Sequence, residues 1–280
     1  KTELNYSNGK FSGLQSYWSS NGNKVEEKNY IHGKQQGLWT IYYEETGIKK
    51  EETNYVDGVQ EGLWTEWFED GQKRRERNFK NGERDSTWTT WYKNGNKKFL
   101  ATYINGKLNG KYIRWFEGGI IKELDGDYLN NKKHNKWVFW GKNGQKTEEI
   151  NYNNGVHHGS HINWYGDKND QHKSFHVNYK NGAKDGDWHY WYASGVDSLK
   201  SNYLDGEKDG HWVWWRKNGL KDKEGFYKKE KKHGVWTMWN DSSGIAYHKL
   251  HEETFVNDII DGKVTKWYKE GDLDRQGVMR

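Results

Sequence analysis

The chain has 280 residues, of which 32% are hydrophobic, and aromatics alone supply 16%. Aliphatic side chains are too few for a thick Leu/Ile/Val core, while 18 Trp and 19 Tyr are too many for a disordered chain. Without Cys, disulfides and thiolate metal sites are excluded, and the formal charge of +5 is interspersed rather than clustered as a nucleic-acid footprint requires, so no nucleic-acid partner is expected.

Along the chain an aromatic opens a unit at Tyr6, Tyr30, Tyr55, Phe79, Tyr103, Tyr128, Tyr152, Tyr179, Tyr203, Tyr227 and Phe255. The step is 24 or 25 residues, lengthened to 27 after Tyr152 and to 28 after Tyr227. Two Trp columns run in register, one through Trp39, Trp64, Trp88, Trp137, Trp188, Trp212 and Trp236, the other from Trp18 to Trp267. Only Trp214 falls outside them. Asn-Gly and Asp-Gly pairs between these runs are hairpin-turn signals, because both turn positions tolerate φ > 0. In the third unit, Leu63–Phe68 reads as a strand, Glu69-Asp70-Gly71 as its turn and Gln72–Asn78 as the return strand. Val56-Asp57-Gly58 through Gly62 reads as a connection before the hairpin.

Strand alternation puts Trp64, Glu66 and Phe68 on one face and Trp67 on the other, so each hairpin presents aromatics on both sides. The charged return strands are expected to be largely solvated. No segment carries a 3.6-residue apolar stripe, so no helix is expected, and no apolar run is long enough to cross a membrane as a helix. The expected fold is all-β: an elongated single antiparallel sheet of eleven tandem hairpins of about 24 residues, one continuous array over residues 1–280. With two strands per unit at a spacing of about 4.8 Å, the rod would be roughly 100 Å long. The abrupt start at Lys1 reads as half a hairpin, which points to missing upstream chain or to edge pairing with another molecule. The abrupt start and the missing Cys together lean the expected location toward the cell exterior.

The core Asn105-Gly106-Lys107-Leu108-Asn109-Gly110 and its ten counterparts resemble the membrane occupation and recognition nexus (MORN) repeat, in its bacterial variant form. The resemblance runs from about Tyr6 to Gly271 and implies an elongated antiparallel sheet with protein or lipid contacts. Some relatives carry antitoxin-like descriptions, and others look secreted or surface-bound. Departures are Asn131 and Glu230 at the first glycine column, and Ser86 and Asn135 at the second. The composition is also similar to choline- and glucan-binding repeats.

Candidate chemistry is sparse. Histidines concentrate in the seventh unit, where His158, His161 and His176, with Asp167 or Asp170 of an inserted segment and His189 nearby, are chemically capable of holding Zn²⁺ or Ni²⁺. Tyr190, Trp212 and Trp214 thicken the aromatic row and are the candidate ligand-binding residues. No nucleophile elbow, phosphate loop or zinc-protease motif occurs. The reading is therefore a non-enzymatic scaffold without a cofactor, binding protein and itself included. A glycan-binding envelope protein and a toxin–antitoxin component are the alternatives. Anionic lipid is a weaker partner, because no polybasic cluster is evident in the sequence.

Overall fold

The computed structural model describes residues 1–166, 172–240, 247–267 and 273–279. Among these residues there is no helix, and the strands pair antiparallel in chain order. The chain divides into two compact units, Lys1–Asn135 and Lys136–Arg280, and the division falls inside the strand Lys132–Trp140.

Each repeat folds for the reason its turns suggest, with one correction. In the first unit of the fold, Asp57 and Gly58 both take positive φ (52° and 87°), and Val56 pairs with Val59. The segment expected to be a mere connection is itself a two-residue hairpin. Two successive positive-φ residues give the twist that adjacent strands share, so the strands continue straight through. The expected turn near Gly71 is also present, since Trp67 pairs with Lys73 across it. Two turn types thus alternate along the chain. The two-residue turns also knit successive hairpins: the Gly82 N–H donates to the Gln60 carbonyl at 2.9 Å, and the Gly106 N–H to that of Arg84 at 2.8 Å.

Three positions lack the turn glycine and show how it is replaced. Asn131, Glu230 and Asp258 sit at φ 65°, 67° and 71°. Their side-chain oxygens accept hydrogen bonds from the backbone N–H of Leu108, Lys208 and Lys232, each at 2.7 Å. The added bond offsets the left-handed strain of a non-glycine residue. Glu230→Ala keeps the strain and loses the acceptor, so it should destabilise by about 1–2 kcal/mol in chemical denaturation. Glu230→Gly should be close to neutral, and equal losses for the two would contradict this account.

The two faces of the sheet differ. In the second unit of the fold one face carries an unbroken ladder: Tyr179, Trp188, Tyr203, Trp212, Tyr227, Trp236 and Phe255, with ring centroids 5.0–6.4 Å apart. In the first, the run Phe11, Tyr30, Trp39, Tyr55 steps by 4.9–5.3 Å. Several indole N–H groups of the ladder donate to a backbone carbonyl ten residues earlier, as Trp88 does to Asn78 at 3.1 Å and Trp188 to Asn178 at 2.9 Å. These bonds satisfy the only polar atom of a buried ring.

The opposite face carries the second Trp column and rows of ion pairs. Return strands in both units have a β-bulge after the first residue: Trp18 pairs with Lys24 but Tyr17 with Glu26, leaving Val25 extra, and Trp191 pairs with Asp197 but Tyr190 with Leu199. A bulge inverts the alternation, so Lys24 and Glu27 share a face and pair at 2.5 Å. Lys49–Glu52, Lys122–Asp125, Lys146–Glu149 and Lys249–Glu252 repeat the device at 2.5–2.7 Å. The lysines also lie near the second-column rings, for example Lys249 at 6.0 Å from Trp267. The return strands are consequently half-buried rather than solvated, and Glu149 and Glu66 are buried. Each exposed pair contributes at most about 1 kcal/mol, so the ladder carries most of the stability.

Candidate functional site

The ladder face of the second unit carries an outer row beside the ladder. Cross-strand register sets Phe175, Tyr190, Leu199 and Trp214 next to one another. The row walls a cleft of about 600 Å³ with Tyr165 and Tyr192, which stand on the loops above. That volume lies within the range of small-ligand sites. Two of its walls are pinned, because the Tyr165 hydroxyl donates to the Trp191 carbonyl and the Tyr192 hydroxyl to that of Trp215, both at 2.8 Å. Burial pushes the Tyr190 phenol up to about 12, so it stays neutral at physiological pH. The cleft offers ring faces, hydroxyls and no charge among these six residues.

Of the three expected ligand residues, Tyr190 and Trp214 line this cleft, half-buried. Trp212 does not. It is 5% exposed and belongs to the core with Val177, Trp188 and Tyr203, its indole N–H bonded to the Asn202 carbonyl at 3.1 Å. Tyr165, Phe175, Tyr192 and Leu199 were not singled out in the sequence. The available signal was positional: Tyr165 and Tyr192 both follow a second-column Trp.

The histidines do not gather. His161 occupies a ladder position, 4.8 Å from the Phe175 ring, with Nε2 2.8 Å from Glu148 Oε1. His176 pairs with Ile162, the next residue in the strand, and so points from the other face, where its Nε2 lies 2.9 Å from Ser160 Oγ. His158 Nδ1 accepts a hydrogen bond from the Asn181 N–H at 3.3 Å, beside a turn. Neighbouring residues on one strand face oppositely, so His161 and His176 cannot share one ion. Among the described residues no group of three or more His, Asp or Glu could hold a metal. Asp167 and Asp170 lie outside the described residues.

His176 and His189 are cross-strand partners on the ion-pair face. Burial lowers His176, with Lys173 adding to the effect and Asp187 opposing it. Burial also lowers His189, against its 2.6 Å bond to Asp197, with Lys200 and His176 adding to the lowering. A histidine held low in the folded state is penalised when protonated, so the unfolded chain binds more protons. Stability should therefore be full above the ordinary histidine value of 6.5 and fall as pH drops below it. The low-lying carboxylates Asp197 and Glu149 protonate only later. Denaturation midpoints from pH 7.5 to about 5 test this; a flat profile, or the same slope in a His176→Asn/His189→Asn variant, would contradict it.

Comparison with known proteins bears on the repeats. A family model described as "MORN repeat variant" matches residues 60–81 and 84–105, two adjacent units. No curated protein matches the chain. Among solved structures, a chain of "Crystal Structure of TcdB2-TccC3-Cdc42" is 12% identical, with 97% of this chain and 16% of that chain covered and a TM-score of 0.20. A likeness that loose carries no argument. Among the described residues the other units repeat the two-residue positive-φ turn of the two matched ones.

Proposed function

We propose that this protein, which carries MORN repeats of the variant type, is a non-enzymatic scaffold that binds protein, copies of itself included, along one continuous array of eleven units. MORN repeats are in general interaction repeats. The observation that supports the reading here is where the scarce aliphatics sit. Leu14, Leu38 and Leu63 occupy the same position in successive hairpins, opposite Asn29, Asn54 and Asn78, and each is about half exposed. Ile31, Val56, Ile104 and Leu204 flank two-residue turns and are also exposed. Exposed apolar side chains in rows, rather than scattered, mark contact surfaces. Sedimentation velocity across a concentration series should show reversible association that Leu14→Ser/Leu38→Ser/Leu63→Ser weakens. A wild-type monomer at every concentration would remove self-assembly from the reading.

A second reading has its own observation. The uncharged aromatic cleft at Tyr190 and Trp214 fits a sugar ring, which stacks on aromatic faces and takes hydrogen bonds from their hydroxyls. A glycan array probed with wild type and Trp214→Ala separates the two readings. Binding that Trp214→Ala abolishes favours the glycan, and an array without signal removes it.

A further inference from the structure

The first unit has a cleft at the register of the one just described, and its chemistry is opposite. Thr90 replaces the large outer-row residue, and the space of about 590 Å³ is walled by Phe68, Tyr92 and Phe99. Its lining holds five cations, Arg74, Arg75, Lys93, Lys98 and Arg114, against the carboxylates Glu117 and Glu123. Five of the eight arginines of the chain fall between residues 74 and 114. The structure brings them to one face: Arg75 and Arg114 stand in the outer row, Arg84 lies 4.7 Å from the Trp88 ring, and Arg74 lies 5.6 Å from that of Phe68. Arg77 is sandwiched between Trp64 at 4.6 Å and Trp88 at 4.8 Å, and no carboxylate pairs with it among the described residues.

The carboxylates orient these cations without cancelling them. Arg74 and Arg75 share the single carboxylate of Glu66, at 3.0 and 3.3 Å. Glu123 holds the Arg114 guanidinium with two bonds, at 2.6 and 3.1 Å. Lys93 and Lys98 have no carboxylate partner among the described residues, and Lys98 lies 5.3 Å from the Tyr92 ring. Tyr92 is fixed in turn by its hydroxyl bond to the Trp115 carbonyl at 2.8 Å. The contrast between the clefts arises in the outer row, where Arg75 and Arg114 stand at the positions of Phe175 and Trp214, and at the bulges, where Arg74 and Lys98 occupy positions that Ser174 and Ser198 hold in the second unit.

We propose that the Thr90 cleft binds a phosphorylated aromatic ligand of mononucleotide size. Its ring stacks against Phe68, Tyr92 and Phe99, and its phosphates meet Arg74, Arg75, Arg114 and Lys98. Stacking selects a planar ring, and guanidinium forks select phosphate. The outer-row and bulge residues together decide charge preference, so the second-unit cleft discriminates against the same ligand.

Titration calorimetry of the full chain with ADP, adenosine and pyrophosphate tests the assignment. ADP is expected to bind more tightly than either fragment, and its affinity to fall as salt rises. Arg74→Ser/Lys98→Ser, which copies the second-unit cleft, is expected to weaken ADP at least tenfold without changing the circular dichroism spectrum or the melting temperature. No ADP heat from the wild type, or unchanged ADP affinity in Arg74→Ser/Lys98→Ser, would overturn the proposal. Pyrophosphate binding as tightly as ADP would overturn the role of the rings.

Discussion

Trp212→Ala should cost about 3–5 kcal/mol, the loss typical of removing a buried Trp from a packed core. Trp212 is 5% exposed and touches both neighbours in the ladder, Tyr203 and Tyr227, each at 5.3 Å. Its removal also takes one of two hydrogen bonds from the Asn202 carbonyl, which keeps that of the Asp209 N–H at 3.1 Å. In a repeat protein the units are stabilised by nearest neighbours, so one missing rung weakens two interfaces at once. Trp214, two residues along and on the same face, is half-buried in the outer row. Trp214→Ala should cost only about 1–2 kcal/mol. Native-state hydrogen exchange gives the clearest readout, because protection should collapse around the strands Gly210–Trp215 and Lys221–Lys228 for the first variant and hold for the second. Equal losses would mean that the ladder and the outer row are not distinct layers.

That pair of residues also shows where the sequence stops being informative. Trp212 stands in the first Trp column and Trp214 outside both columns, but alternation places both on one face. What separates them is that the column position is buried in the core and the position two residues on is half-buried, and alternation by itself does not encode that. The repeat itself was legible because a column of aromatics at a fixed step is the mark of stacked identical units. The positive-φ turn at Asn105-Gly106 follows from residue type, whereas that at Lys229-Glu230 follows only from its place in the repeat. His161 illustrates the same logic in reverse. It stands in the first Trp column, so its packing against Phe175 and Tyr179 was readable from register, although the histidine count drew attention to metal.

The charged return strands were misread for a definite reason. Counting by twos puts Lys73 and Glu76 on opposite faces, which makes the strand look like a polar surface on both sides. One bulge between Lys73 and Arg75 reverses that count. It brings Lys73 and Glu76 together and places Arg74 on the ladder face against Phe68. The cationic cleft is not legible in the chain because its cations are interspersed there, and only cross-strand register brings Arg75 and Arg114 into one row. A bulge has no strong residue signature except at glycine, but its effect recurs at the same step in each unit, so one structure decodes them all.

Gly225 tests how tightly the ladder is fitted. Alanine in place of glycine inside a strand usually gains stability, because glycine loses more conformational freedom on folding. Gly225→Ala should do the reverse and cost about 2–4 kcal/mol, combining overpacking with a lost hydrogen bond. Gly225 pairs with Trp212 on one side, and the Trp236 ring lies across it on the other, so that an added methyl group would meet the ring itself. The ring has nowhere to go: its indole N–H is held by the Phe226 carbonyl at 3.0 Å, and Tyr227 lies 5.0 Å away. The equivalent position in the first unit is Ala101, fully buried between Trp88 and Tyr112. There one neighbour is a tyrosine, and the smaller ring leaves room for the methyl. At these two positions the middle-row residue is therefore matched to the ring beside it. The match predicts a rescue. Gly225→Ala/Trp236→Tyr rebuilds the Ala101 arrangement and should recover at least about 1 kcal/mol relative to the sum of the single variants. Strictly additive losses in urea denaturation would show that the two positions do not fit one another, and that the cost of Gly225→Ala arises elsewhere.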